Sequence, residues 1–290
     1  MRIVNTSNVK WHQNKLHIRA GAGLKIKQIL KGQSGTPENY LFNMSHSAGD
    51  YGSPRHRHNF DQVRFVLEGN MRISPNQIVR EGQIGYFPEG TTYGPYNDAG
   101  KERTIMIVQF GGASGYGYMD ADQAVAAEKS LLAEGSFEDG YFHRSTGKGP
   151  RRTDAYRAVW ERCFGRRMDL PKPRYEKPVI VDPKNFGWQP TGRRGISRKS
   201  LGIFTERQTR LEMVKIDAGC QWTSPSEKSV SLYFVLDGVG TTDGKKISRY
   251  SAAETEAGER MTIDAAKDLT IFCLVMPLIQ TAALKQAAPF

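Results

Sequence analysis

Cysteine is scarce in this chain of 290 residues: Cys163, Cys220 and Cys273 stand far apart, with no CxxC pair among them. An odd and scattered set argues against a zinc knuckle or a dithiol redox motif and leaves reduced, structural thiols as the expectation. Long apolar runs are lacking as well. The longest, Thr270 to Ile279, is about half the length that a membrane span requires and contains Pro277, so no membrane partner is expected. The N-terminus, Met1-Arg2-Ile3-Val4-Asn5, has no secretory apolar stretch, and a cytoplasmic protein is expected. Neither a GxSxG elbow nor an HExxH helix occurs, which makes hydrolase readings unattractive. The glycine-rich run Gly111 to Gly117 lacks the P-loop lysine and serine, and reads as an exit from a β domain rather than a phosphate loop.

Positive charge is what the chain has in excess: 41 Lys and Arg against 30 Asp and Glu, a net +11. The excess is densest between Lys148 and Lys199. No helix-turn-helix, zinc finger or aromatic single-strand platform accompanies it, so no nucleic-acid partner is expected and the stretch reads as a solvated basic connector. Thirty glycines and fourteen prolines are spread along the chain, which excludes collagen, coiled coil and disorder and points to short strands joined by many turns.

Between residues 24 and 110 the pattern is a succession of short strands: Leu24–Leu30, Tyr40–Ser47, Gln62–Leu67, Asn70–Ser74, Gln77–Arg80, Gln83–Phe87 and Thr104–Phe110. Glu68-Gly69 and Glu81-Gly82 supply turns between them. Helical periodicity then runs from Ala121 to Glu134 and from Thr153 to Phe164. Strand-like runs resume at Leu201–Thr205, Leu211–Ile216, Val230–Leu236 and Leu269–Val275. An internal repeat links the two β regions, because Val63-Arg-Phe-Val-Leu-Glu-Gly69 matches Leu232-Tyr-Phe-Val-Leu-Asp-Gly238. The expected class is all-β: two antiparallel barrels over 1–118 and 196–290, joined by a helical connector over 119–195.

The first β region carries the motifs. His56-Arg57-His58 is followed by Gln62 and Gly69, and Gly82 by Pro88-Glu89-Gly90, Tyr93 and Asn97. These spacings resemble the two cupin motifs, Gx5HxHx3-4Ex6G and Gx5PxGx2Hx3N. Asp50 stands at the first glycine position, Gln62 in place of the ligand glutamate and Tyr93 in place of the ligand histidine. The resemblance implies two jelly-roll-like cupin barrels, a bicupin, with a metal site in the first built from His56, His58, Gln62 and Tyr93. The second copy is expected to be degenerate and structural, since Pro225, Glu227, Ser231 and Met261 fall where ligands would stand.

The residues make a chemical case of their own. His56 and His58, two apart, share one face of a strand, and Gln62 and Arg64 share that parity. Two imidazoles and an oxygen donor suit a divalent transition metal with open positions, iron first and manganese, nickel or zinc as alternatives. Gln62 is a neutral, weak ligand, and Tyr93 could ligate as a phenolate or hydrogen-bond a bound water. Arg64 on an inward face needs an anion, which is either a small anionic organic substrate or Glu68 or Glu89 at the barrel mouth. Tyr86, Phe87 and Tyr96 are candidates for an aromatic lining, and His46 for an extra pocket residue.

Two functional readings follow. In the first, the protein is a metal-dependent enzyme resembling dioxygenases, and otherwise an isomerase or lyase, with catalytic roles for Tyr93 and Arg64. In the second, the pocket binds a small molecule without catalysis, the metal site being weakened or lost. Either reading is compatible with a homodimer.

Overall fold

A computed structural model describes residues 1–13, 19, 23–34, 36, 39–48, 51–97, 101–115 and 118–279. Asp50 of the first motif, and Tyr116 and Gly117 of the glycine-rich run, lie outside the described residues. The protein is mostly β, with 47% of its residues in strands and, among the described residues, two α-helices. No described helix is long and apolar enough to cross a membrane. The described residues divide into two compact units, Trp11–Val181 and a second made of Met1–Lys10 with Asp182–Ile279.

The first unit is built on a seven-stranded antiparallel sheet, in the order Val179–Val181, Ile84–Phe87, Asp61–Glu68, Arg103–Phe110, Tyr40–Ser47, Leu24–Lys31 and His12–Gln13. The shorter pairs Asn70–Ser74 with Gln77–Arg80, and Gly52–Ser53 with Tyr96–Asn97, complete it. Val66, Met71, Ile73, Val79, Phe87 and Ile105 from these elements share one apolar core. Alternation along Tyr40–Ser47 sends Leu41, Asn43, Ser45 and Ser47 to a cavity wall, while Tyr40, Phe42 and Met44 are buried from the alternate positions.

Helix α1 (Ala121–Leu131) opens on a capping box, in which the Asp120 side chain accepts from the Gln123 amide and the Gln123 side chain accepts from the Asp120 amide. Helix α2 (Ala155–Phe164) opens on Asp154 and closes on Gly165 in the left-handed region. Both helices pack with Phe60 and Met119 in a core of the first unit. They are therefore part of that unit and not a separate connector over 119–195. Thr153, expected in a helix, instead ends a small three-stranded sheet. Part of the basic stretch is also structural: Arg162 pairs with Glu134, which Arg144 just before the stretch pairs with as well, and Arg174 pairs with the buried Glu89.

The second unit has its own seven-stranded sheet, in the order Arg2–Asn5, Ser251–Thr255, Ser231–Asp237, Leu269–Val275, Thr209–Ile216, Ile196–Phe204 and Gln189–Pro190. A four-stranded sheet faces the same core, which includes Trp222, Tyr233, Ile247, Met261 and Ile263. Strand for strand, the order repeats that of the first unit. Gly69 and Gly238 occupy matching turns with φ of 76° and 95°. Of the residues at the expected ligand positions here, Ser231 and Met261 are buried and Glu227 pairs with Arg210.

Candidate functional site

His56 and His58 lie on an irregular segment and not on a strand. His56 forms an isolated bridge to Tyr93, donating to its carbonyl and accepting from its amide at 3.0 Å each. The Gly90 amide donates to the His58 carbonyl at 2.7 Å. The Pro88-Glu89-Gly90 turn is thus pinned to the first motif, and this brings Tyr93 beside the histidines. Arg57 between them is exposed while both imidazoles are buried, their ring centroids 4.9 Å apart.

The Asp61–Glu68 strand supplies Gln62 and Arg64, on the side that parity requires. Arg64 donates through Nε and Nη2 to Gln62 Oε1, at 3.1 and 2.6 Å, and through Nη2 to the Tyr93 hydroxyl at 3.1 Å. Gln62 Nε2 donates to the same hydroxyl at 3.0 Å. The guanidinium also lies 4.5 Å from the Phe87 ring centre, and its Nη1 donates to Met71 Sδ at 3.7 Å. Among the described residues no carboxylate pairs with Arg64. Glu89 is held by Arg174 and by the amide and hydroxyl of Ser114, and Glu68 by Thr104. The glycine-rich run therefore meets a buried carboxylate at Ser114, which is the opposite of a phosphate cradle.

Electrostatics set the protonation states. His56 Nδ1 lies 2.7 Å from the Pro54 carbonyl, an acceptor only, so the proton sits on Nδ1 and Nε2 keeps its lone pair. His58 Nε2 faces a guanidinium nitrogen of Arg19 at 3.4 Å, which places its proton on Nδ1; that buried atom has no hydrogen-bond partner. Burial, then the charges of Arg19 and Arg64, hold His56 well below the ordinary imidazole range. For His58 burial leads again, followed by His56 and the two arginines. Burial raises Tyr93 despite Arg64, so its phenol is neutral. Tyr96 is also raised by burial, but Arg64, Arg19 and Arg103 outweigh this and lower it.

His56, His58, Gln62, Arg64 and Tyr96 line a cavity of about 430 Å³ in the first unit, whereas Tyr93 is not among its lining residues. Tyr51, Arg103, Arg19, Tyr156 and Asn43 join the wall, and Asn43 Oδ1 is buried without a hydrogen-bond partner. Sequence reading missed these five. Asn43 was visible only as an odd-numbered polar position within a strand, and Arg103 fell just outside the strand boundary drawn at Thr104. Of the aromatic candidates, Tyr96 lines the cavity, Phe87 lies under Arg64, and Tyr86 turns away to donate to Asp61 at 2.7 Å. His46 contacts Thr104 and Trp11 and does not line the cavity.

No protein-family model and no curated protein matches the sequence. Solved structures do resemble it. A candidate dioxygenase from Nostoc punctiforme superposes with a TM-score of 0.63 at 11% identity, covering 97% of this chain and 85% of that one. A candidate glyoxylate-induced protein from Pseudomonas aeruginosa gives 0.56 at 12%, covering 87% and 80%. Oxalate decarboxylase from Bacillus subtilis gives 0.57 at 10%, covering 95% and 76%. The likeness is one of fold. It is consistent with the cupin fold that the two motifs imply.

The Bacillus decarboxylase has Mn(II) centres. In this chain, the described residues contain no group of three or more His, Cys, Asp and Glu that could hold a metal ion. The four candidate donors stand close together, but several of their lone pairs are engaged by neighbouring side chains. Gln62 Oε1 is taken twice by Arg64, the Tyr93 phenol is neutral and hydrogen-bonded, and the His58 lone pair faces Arg19. Two neutral imidazoles amid guanidinium groups, with no anionic ligand, fit a divalent cation poorly and an anion well. Gln62 and Tyr93 thus hold Arg64 and are not presented as metal ligands.

Proposed function

We propose that the first unit binds a small anionic organic molecule in this cavity, with Arg64 as the principal cation. The Arg64 guanidinium carries the reading: it is buried, held in place by Gln62 and Tyr93, and has no carboxylate counter-ion among the described residues. A buried charge without a partner costs several kcal/mol, and an anionic ligand offsets that cost. The His58 Nδ1–H donor, buried and unpartnered, supplies a further hydrogen bond to the same ligand. The protein is then a small-molecule-binding cupin whose fixed cation belongs to the chain.

A second reading, a metal-dependent enzyme resembling dioxygenases, is favoured by the bare Nε2 of His56 beside His58 and by a fold shared with an Mn(II)-bearing decarboxylase. There His56 and His58 would hold the metal, and it would supply Lewis-acid or redox chemistry.

Calorimetric titration with hexanoate and elemental analysis of untagged protein test both readings. We expect metal well below stoichiometric and hexanoate binding weakened at least tenfold in Arg64→Leu, circular dichroism being unchanged. Near-stoichiometric metal that His58→Ala releases would replace the first reading with the second.

A further inference from the structure

Strand register sets what stands opposite Arg64 on the cavity wall. Ile107 of the Arg103–Phe110 strand is in register with Arg64 on one side and with Asn43 on the other, and all three line the cavity. Arg64 and Asn43 therefore sit at one level, their backbones two strand spacings or about 9.5 Å apart, with Ile107 between them. Asn43 is 8% exposed, and its Oδ1 is buried with no hydrogen-bond partner. An amide oxygen left unpaired away from water is destabilising, and a donor on a bound molecule removes that cost. Two more polar residues continue the line along the same strand: Ser45 across from Ile105 and Ser47 across from Arg103, both buried and both lining the cavity. Tyr40, Phe42 and Met44 take the alternate positions, so the polar residues are confined to the cavity side. Such a wall suits a ligand that carries a hydroxyl better than a bare alkyl chain. A hydroxyl can donate to Oδ1, which a carboxylate cannot, and the Arg64 charge at the same level disfavours an ammonium in its place.

We infer, resting on the anion-binding reading, that the ligand is a hydroxycarboxylate, its carboxylate at Arg64 and His58 Nδ1 and its hydroxyl at Asn43 Oδ1 across Ile107. The charge of Arg64, the donor of His58 and the acceptor of Asn43 are then each used by one molecule. A simple carboxylate leaves the amide oxygen unpaired, and a dicarboxylate sets a second anion against it. A neutral alcohol leaves the guanidinium without a counter-ion.

Calorimetric titration of the full chain with hexanoate, 3-hydroxyhexanoate, 6-hydroxyhexanoate, hexanedioate, 6-aminohexanoate and hexane-1,6-diol tests this. The two hydroxy acids bracket the span across Ile107, and the better of them should bind about fivefold more tightly than hexanoate, the value of one buried hydrogen bond. Hexanedioate, 6-aminohexanoate and the diol should each bind at least fivefold more weakly than that hydroxy acid. In Asn43→Leu, which keeps the shape of the side chain and removes its polar edge, the advantage of the hydroxy acid over hexanoate should fall to within twofold. Hexanoate matching both hydroxy acids would overturn the hydroxycarboxylate class while leaving the anion site standing. An advantage that persists in Asn43→Leu would overturn the placing of the hydroxyl at Asn43, and hexanedioate or 6-aminohexanoate matching the hydroxy acid would overturn the hydroxyl itself. The diol matching it would instead remove the anion-binding reading, and binding by none of the carboxylates would overturn both. If Asn43→Leu does not fold, the comparison of ligands on the natural protein decides.

Discussion

Arg64 shows how two neutral side chains, Gln62 on its own strand and Tyr93 across from it, can hold a buried cation. With Gln62 and Tyr93 as hydrogen-bond acceptors, the guanidinium is fixed in place without a carboxylate. On the other face of the same strand, Asp61 is fully buried and accepts from the Tyr86 hydroxyl and the Glu89 amide at 2.7 and 2.8 Å. Burial, then the charge of Glu89, pushes its carboxyl up to about 7, against about 3.9 in an unfolded chain. A raised acid binds its proton more tightly when folded, so its contribution is complete below about pH 4 and is lost as the pH rises towards 7. Denaturant titrations at steps across this window should show stability falling by up to about 4 kcal/mol from this group. In Asp61→Asn the fall should flatten; an unchanged slope would assign the pH dependence elsewhere. The parity that exposed Arg64 to sequence reading works because strand alternation is local. Arg19 sits in a segment with no periodicity, and nothing local marks it as a neighbour of His58.

Among the elements, the repeated turn is the most legible feature, because the need for a positive φ is local. A Cβ at Gly69 would meet the Glu102 carbonyl, and one at Gly238 the Asp268 carbonyl, both parts of backbone that cannot step aside. Gly69→Ala and Gly238→Ala should each destabilise their own unit by about 1–3 kcal/mol, read by chemical denaturation. Gly82 has a similar φ of 79° but open space around it, so Gly82→Ala should cost less than either. Equal losses at all three would mean that φ alone, and not the close approach, sets the penalty. The element that sequence reading misjudged is the His56–His58 segment. A strand was expected there, and the convergence comes instead from the bridge to Tyr93 and the Gly90 contact, both made across more than thirty residues.

On the scale of the whole molecule, the first ten residues belong with Asp182–Ile279. Arg2–Asn5 pairs antiparallel with Ser251–Thr255, and Arg2 also pairs with the Glu254 carboxylate. In the first unit Val179–Val181 takes the equivalent edge beside Ile84–Phe87. Deleting Met1–Lys10 should therefore lower the melting temperature of the second unit, with carboxylate binding in the first kept within twofold. Scanning calorimetry together with titration checks this, and loss of the binding with an unchanged melting temperature would contradict the division into units.

Short strands, the repeated glycine turns and the inward side of Arg64 were readable from the chain alone, because alternation and backbone conformation depend on a residue and its near neighbours. The boundary at residue 182, in place of 119 and 196, and the placing of both helices in the first unit were not. They rest on pairings such as Arg2 with Glu254, 252 residues apart, and on the shared core of α1, α2 and Phe60. The site divides in the same way. Residue types named the histidines and the arginine, but whether Gln62 would face a metal or a guanidinium depended on which side chains the folded strands bring within hydrogen-bond reach. Burial then turned that contact into a fixed charge, because a cation removed from water must be held by whatever acceptors surround it.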